Sequence, residues 1–236
     1  MTVPTTRLGQ AAGIAAAVAG AIFVLVQINH PPMELASITT TDWMLRSTAK
    51  TVMSALALAG ITGIYLRQRS RVGGLGLAGY VALAVGYLLM FGTEFLAAFV
   101  LPTVAKTSPT YAVDVIVTAF GGSPVGDIGA MSVVLQATGA FYILGGLMFG
   151  ITTFRAGVLA RWAAALLAIG NTATIALAVL PDAYNRPFAV PTGIALMGLG
   201  VSLWRDQRRV AQREQIGSVG EDSVAAPANR LQVSAS

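Results

Sequence analysis

The chain has 236 residues, of which 55% are hydrophobic and 11% are charged, and it contains no cysteine. A globular domain usually carries about 25% charged residues, so this chain has too few to cover a water-soluble surface. The same composition excludes intrinsic disorder, a collagen-like fold and a disulfide scaffold. The composition therefore predicts an all-α protein, a polytopic bundle of transmembrane helices.

Apolar intervals between the charged residues predict six membrane-crossing helices, since a crossing needs about 20 mostly apolar residues. The second helix reaches this length only if it includes Arg46 and Lys50, whose side chains then extend to the interface. The third helix reaches it only if Glu94 is accepted inside. The predicted helices cover about residues 8–28, 46–66, 74–101, 128–154, 161–180 and 187–204.

Two segments are predicted to lie outside the crossings. Residues 109–120 are too short to span, carry Asp114 in their middle and are followed by Gly121–Pro124, which favours a short interfacial helix between the third and fourth crossings. Residues 205–236 are expected to form a cytoplasmic tail. It begins as a helix and becomes disordered beyond about residue 217, where no apolar periodicity remains.

The basic residues predict that both termini are cytoplasmic, because cytoplasmic loops carry an excess of Lys and Arg. With the N-terminus inside, ten basic residues near helix ends fall on the inner side and four on the outer side. The inner ones are Arg7, Arg67, Arg69, Arg71, Arg155, Arg161, Arg205, Arg208, Arg209 and Arg213, and the outer ones are Arg46, Lys50, Lys106 and Arg186. This membrane anchoring also accounts for the net charge of +5, so no nucleic-acid surface is implied.

Small residues at four-residue spacing indicate close helix packing. The clearest series are Gly9, Gly13 and Ala17, and then Gly146 and Gly150. They predict a tight bundle and are equally compatible with a homo-oligomer.

Glu94 is the outstanding polar residue, about 10 Å from the outer end of the third helix at 1.5 Å per residue. A polar group at that depth needs a partner or a purpose. Lys50 lies at a similar predicted height and is its natural counter-charge. Either these two residues form part of an outward-facing pocket, or their pairing only locks helices together. The other polar residues expected around such a pocket are Gln27, Gln136, His30 and Asp127.

Three functions are compatible with this pocket. The first is a membrane protein that binds or handles a small lipophilic molecule. The second is a membrane-embedded enzyme in which a buried carboxylic acid, Glu94 or Asp127, protonates an isoprenoid-type lipid and starts a cyclisation or isomerisation. Aromatic rings such as Tyr87 and Tyr142 would then stabilise carbocations, as in small membrane terpene cyclases, which are similar in size and helix number. The third is a structural or regulatory subunit.

The expected partners are membrane lipids and the lipophilic molecule itself. One histidine and scattered carboxylates give no metal-ligand spacing, and no cofactor-binding motif is present. We therefore expect neither a metal nor a cofactor.

Two segments, Gly92–Pro102 and Gly146–Trp162, resemble parts of uncharacterised bacterial multi-pass proteins, in particular actinobacterial ones grouped only as a domain of unknown function. The resemblance covers about helices three to six. It brings no established activity, but it implies a location in the bacterial inner membrane and marks the position of Glu94.

Overall fold

The structure, a computed structural model, describes residues 5–178 and 187–228, and these residues form helices and turns without a strand. Within these ranges, four helices are long and apolar enough to cross a membrane: Thr5–Leu25, Thr41–Phe99, Ala130–Ala156 and Pro187–Glu214. The prediction of an all-helical protein with apolar helices of membrane-spanning length is therefore confirmed.

In chain order, the described α-helices are α1 (Thr5–Leu25), α2 (Leu35–Ile38), α3 (Thr41–Phe99), α4 (Leu101–Thr107), α5 (Pro109–Ala119), α6 (Ala130–Ala156), α7 (Arg161–Ala173) and α8 (Val190–Ala228). Single 3-10 turns follow α7 at Thr174–Ala178 and precede α8 at Pro187–Ala189.

The long helix α3 is a hairpin of two antiparallel arms, residues 41–72 and 74–99. Its backbone is non-helical at Gly73, where φ is 60° and ψ is −163°. The hydroxyls of Thr62 and Tyr80 lie 3.1 Å apart, although an unbroken helix would separate them by about 27 Å. The rings of Tyr65 and Tyr80 also stack, with centroids 4.5 Å apart. Glycine is needed at the reversal because side chains disfavour this backbone conformation.

Six helical segments of the described chain pack in a ring. Helix α1 contacts the first arm of α3, the second arm contacts α6, α6 contacts α7, α7 contacts α8, and α8 returns to α1. Close approaches between these segments use glycine: an added Cβ at Gly13 would come within 2.8 Å of the Gly200 carbonyl oxygen. Gly150 approaches the backbone of Ala168 in the same way. The small-residue spacing is thus used for packing within one chain.

The basic residues at the hairpin turn lie at the same end of the bundle as the start of α1 and residues 206–207 of α8. Arg67 forms a bidentate ion pair with Asp206 of α8, at 2.5 and 3.1 Å. Gly9 of α1 lies against the side chain of Gln207. The beginning of α1 and residues 206–207 of α8 therefore lie beside the turn at Gly73. We call this the turn end, and the opposite end of the hairpin the cap end.

At the cap end, three short helices form a second, smaller core over the hairpin. Helices α2, α4 and α5 contact one another and the ends of α3. The buried residues of this core are Ile38, Trp43, Leu101, Ala105, Ala112 and Ile116.

The cap also holds the chain between α5 and α6. Asp114, which is 3% exposed, accepts the backbone N–H groups of Val125 and Gly126 at 3.0 and 2.9 Å. This explains why an acidic residue occurs in an apolar helix: its carboxylate fixes a loop.

Several predicted boundaries differ from the structure. The second predicted helix starts earlier, at Thr41, because the Thr40 hydroxyl caps it by accepting the Trp43 N–H. The third ends at Phe99, with α4 following immediately, whereas the prediction ran to residue 101. Residues 109–120 were predicted as one short helix and form α5, but α2 and α4 were not predicted.

In the tail, α8 continues to Ala228. Disorder beyond about residue 217 stays a prediction. A formed helix extends without a new nucleation step, so residues of moderate propensity can follow it. The predicted end of the fifth helix at 180, the residue Arg186 and the last eight tail residues lie outside the described residues.

Candidate functional site

Lys50 and Glu94 lie opposite each other on the two arms of α3, near the cap end. Lys50 Nζ is 3.4 Å from Glu94 Oε1, and the two side chains are 13% and 21% exposed. Each is therefore largely withdrawn from the surface, and each supplies the other's counter-charge. The hairpin turn at Gly73 is what brings the two residues into register.

The Lys50–Glu94 pair lines a cavity of about 250 Å³ between the hairpin, α6 and the cap. Its walls are mainly apolar, and the hydroxyl-bearing residues in its lining are Ser47, Thr93, Thr138 and Tyr142. The apolar and aromatic lining includes Met33, Trp43, Met90, Leu101, Ile116, Phe120 and Leu135. A mostly apolar cavity with a few convergent polar groups is the usual composition of a small-molecule site.

Trp43 connects the cavity to the cap. Its indole N–H donates to the backbone carbonyl of Ala97 at 2.9 Å, which ties the start of one arm to the end of the other. Trp43 is 4% exposed and belongs to the small core. The hairpin therefore carries both the Lys50–Glu94 pair and Trp43, whose ring packs in the small core of the cap.

Tyr142 lies on the α6 side of the cavity and meets Tyr87 edge to face, with ring centroids 6.1 Å apart. Tyr87 is fully buried in the main core and does not line the cavity. Its hydroxyl has no hydrogen-bond partner among the described residues. Of the two tyrosines named from the sequence, Tyr142 alone lines the cavity.

The other residues predicted around the pocket do not line this cavity. Gln136 is exposed on α6 and donates to Ser132 at 3.3 Å. Asp127 is exposed and accepts the Gly129 N–H at 2.7 Å, so it shapes the turn before α6. The structure thus places both residues outside the lining of this cavity. The sequence does not fix the rotation of α6 about its axis, because that helix carries apolar residues on all faces. This is why Gln136 was expected to face the pocket.

Gln27 and His30 also lie away from the cavity lining. The Gln27 amide donates back to the Phe23 carbonyl oxygen at 3.3 Å. His30 has its Nδ1 2.9 Å from the Pro31 carbonyl oxygen and its ring edge-to-face with Trp43, at 6.4 Å. His30 is therefore behind a cavity wall, and Gln27 continues the end of α1.

Sequence reasoning missed most of the cavity's lining. Met33, Ser47 and Phe120 come from three different parts of the chain, and nothing in their local sequence distinguishes them. The contact of Trp43 with Ala97, which joins the two arms, spans 54 residues of sequence and has no local signal. The available signal was the three-residue spacing of Ser47 and Lys50, which places both on one face of the first arm.

Among the described residues, no group of three His, Asp or Glu side chains is placed to hold a metal ion. No family model, curated protein or solved structure significantly matches the chain. The resemblance to an uncharacterised bacterial family stays an expectation, and the function has to be argued from the geometry of the cavity.

Proposed function

We propose that the chain is a multi-pass protein of the bacterial inner membrane that binds a small lipophilic molecule in the cavity beneath the cap. The single observation that carries the proposal is an ion pair, Lys50–Glu94, lining an otherwise mainly apolar cavity. Charged groups inside a membrane protein usually mark a ligand or ion pathway. Here the pair supplies donors and an acceptor for the polar end of a ligand, and the apolar walls receive its body.

The topology we propose has six crossings. The two arms of α3 contain 32 and 26 residues, counting 41–72 and 74–99, so each is longer than the roughly 20 residues that a crossing needs. Helix α7 with its following 3-10 turn supplies the remaining short crossing. The clustering of arginines at the turn end supports a cytoplasmic location for that end and for both termini. The cap and its cavity then face the outer leaflet, with α5 as an interfacial helix.

The size of the cavity limits the ligand. At about 250 Å³ it lies below the 300–1,000 Å³ range typical of drug-sized ligands. A short isoprenoid alcohol, or the polar end of a longer lipid whose tail remains in the bilayer, fits this description.

An alternative is the membrane-embedded enzyme that cyclises or isomerises an isoprenoid-type lipid. Rings of Trp43, Phe120 and Tyr142 around the cavity favour it, because aromatic faces stabilise cations. The contact between Glu94 and Lys50 weighs against it, because it engages the carboxyl group that would have to donate the proton. Binding is therefore proposed ahead of catalysis.

Mass spectrometry of small molecules extracted from the purified protein tests the proposal. The wild type is compared with Glu94→Gln, which keeps the shape of the side chain and removes its charge. Asp42→Asn is the matched control, since Asp42 pairs with Arg46 at 2.9 Å near the cap end but outside the cavity. We expect a lipophilic compound in the wild type and in Asp42→Asn, and its loss from Glu94→Gln.

Three results would decide against the proposal. Equal amounts of the compound in Glu94→Gln and in the wild type would mean that the compound binds elsewhere than in the cavity. An empty wild type with a co-purifying polypeptide would favour a structural or regulatory subunit. A bound precursor converted to a cyclic or isomeric product by the wild type would favour the enzyme.

A further inference from the structure

A second groove lies at the turn end, remote from the Lys50–Glu94 cavity. It has a volume of about 550 Å³ and runs between the segment that begins α7 and one face of α8. On α8 its lining residues recur every three or four positions, from Ile194 to Arg209, so they form one stripe about 22 Å long. That length is comparable to one leaflet of a bilayer.

The stripe changes character along its length. Its first part is apolar, with Ile194, Met197 and Val201, and its last part carries Arg205 and Arg209. Both arginines are exposed, and neither forms an ion pair or hydrogen bond with the described residues. The groove thus joins an apolar channel to two free guanidinium groups.

The one acidic residue lining the groove does not cancel this charge. Asp206 is held from the other side by the bidentate Arg67 pair and also accepts from the Gln207 amide at 3.1 Å. Two neighbouring cations are directed elsewhere: Arg208 stacks on Trp204 at 4.7 Å, and Arg161 lies over Phe154 at 5.5 Å.

Trp162 forms the rim of the groove. It is 58% exposed, and its ring lies against Gly198, where an added Cβ would come within 2.5 Å of it. A tryptophan that is half exposed beside basic residues is typical of the level of the lipid head groups.

We propose that this groove binds one anionic phospholipid, with its phosphate on Arg205 and Arg209 and an acyl chain along the apolar stripe of α8. Basic pockets between membrane helices on the cytoplasmic side are suited to such head groups. A free phosphate would use only the two arginines and leave the apolar part of the groove empty. The complementarity of both parts therefore favours a lipid.

Native mass spectrometry of the delipidated full chain, titrated with phosphatidylglycerol or phosphatidylcholine, measures this binding. Each arginine near an anionic lipid contributes about a fivefold gain in affinity. We expect Arg205→Gln/Arg209→Gln to weaken phosphatidylglycerol binding by about 25-fold. The charge-matched control Arg208→Gln/Arg213→Gln removes two cations of the same helix that do not line the groove, and its binding should stay close to wild type.

A third variant tests the apolar part of the groove. Val201 is 38% exposed. We therefore expect Val201→Trp to fill the channel while both arginines and the fold are kept. It should also lose phosphatidylglycerol, even if the double arginine variant fails to fold. Equal losses in the two double variants would assign the effect to diffuse surface charge and overturn the proposal. If Val201→Trp binds phosphatidylglycerol fully and inorganic phosphate displaces that lipid, the site binds a free anion and the proposal is overturned.

Discussion

Lys50 Nζ lies 3.4 Å from Glu94 Oε1, each residue on its own arm of the α3 hairpin, and both line the cavity under the cap. The pair is mostly buried, so removing one charge leaves the other without its partner in an apolar site. We expect Lys50→Met to destabilise the protein by about 2 kcal/mol, less than for a fully buried pair because both side chains keep some exposure. The double variant Lys50→Met/Glu94→Leu should be more stable than Lys50→Met alone.

Tryptophan fluorescence during thermal unfolding in one detergent measures these differences, and the chain has three tryptophans. Additive losses in the double variant would mean that the two charges are not coupled.

Gly73 reverses α3, and its backbone conformation at φ 60° is one that side chains disfavour. We expect Gly73→Ala to cost about 1–3 kcal/mol of stability. Gly74→Ala is the matched control: an added Cβ there meets no atom within 4 Å, and its φ lies outside the left-handed range. Alanine at that position should be neutral or stabilising. A similar unfolding temperature for both variants would contradict the hairpin geometry at Gly73.

Asp114 fixes the loop after α5 through the N–H groups of Val125 and Gly126. Hydrogen bonds to a charged acceptor contribute about 1.5–3 kcal/mol, so Asp114→Ala should loosen this loop. Hydrogen–deuterium exchange should then accelerate at the amides of Val125 and Gly126. Asp127→Ala is the control, because it frees only the Gly129 N–H and should leave exchange at those two amides unchanged. Unaltered exchange in Asp114→Ala would show that the loop is held by other contacts.

Gly13 brings α1 against the backbone of α8, with 2.8 Å between an added Cβ and the Gly200 carbonyl oxygen. A backbone atom cannot move aside, so Gly13→Ala should destabilise the protein despite alanine's helix propensity. The three atoms nearest to an added Cβ at Gly9 belong to the side chain of Gln207, which can rotate, so Gly9→Ala should cost less than Gly13→Ala. Thermal unfolding of the two variants separates these cases. Equal stability would place the close helix contact elsewhere.

The sequence predicted the features that depend on composition and on position along a helix. Scarce charge indicated apolar helices of spanning length, and similar predicted heights indicated the pairing of Lys50 with Glu94. Rotation about a helix axis was not predictable, because a helix with apolar residues on all faces has no periodicity to fix it. Gln136 was accordingly assigned to the pocket and is exposed on α6.

The cap was not predictable for a different reason. Helices as short as α2 and α4 are not stable alone, so they depend on tertiary contacts such as those of Ile38 and Trp43. The two core residues come from α2 and the start of α3, and their contact with α4 and α5 is not encoded in any local pattern. The part of the cavity lining that the cap supplies was therefore not predicted.

The most direct test of ligand binding fills the cavity and leaves its ion pair in place. Gly139 lines the cavity, and an added Cβ there meets no atom within 4 Å, so Gly139→Phe can project a phenyl ring into the space. Gly92→Phe is the matched control, since Gly92 has equally open surroundings on the second arm of α3 but does not line the cavity.

The measurement is the amount of small lipophilic compound extracted from each purified variant, determined by mass spectrometry. The account predicts that Gly139→Phe loses the compound while Gly92→Phe retains the wild-type amount. Retention of the compound by Gly139→Phe at the wild-type level would contradict the proposal that the cavity beneath the cap is its binding site.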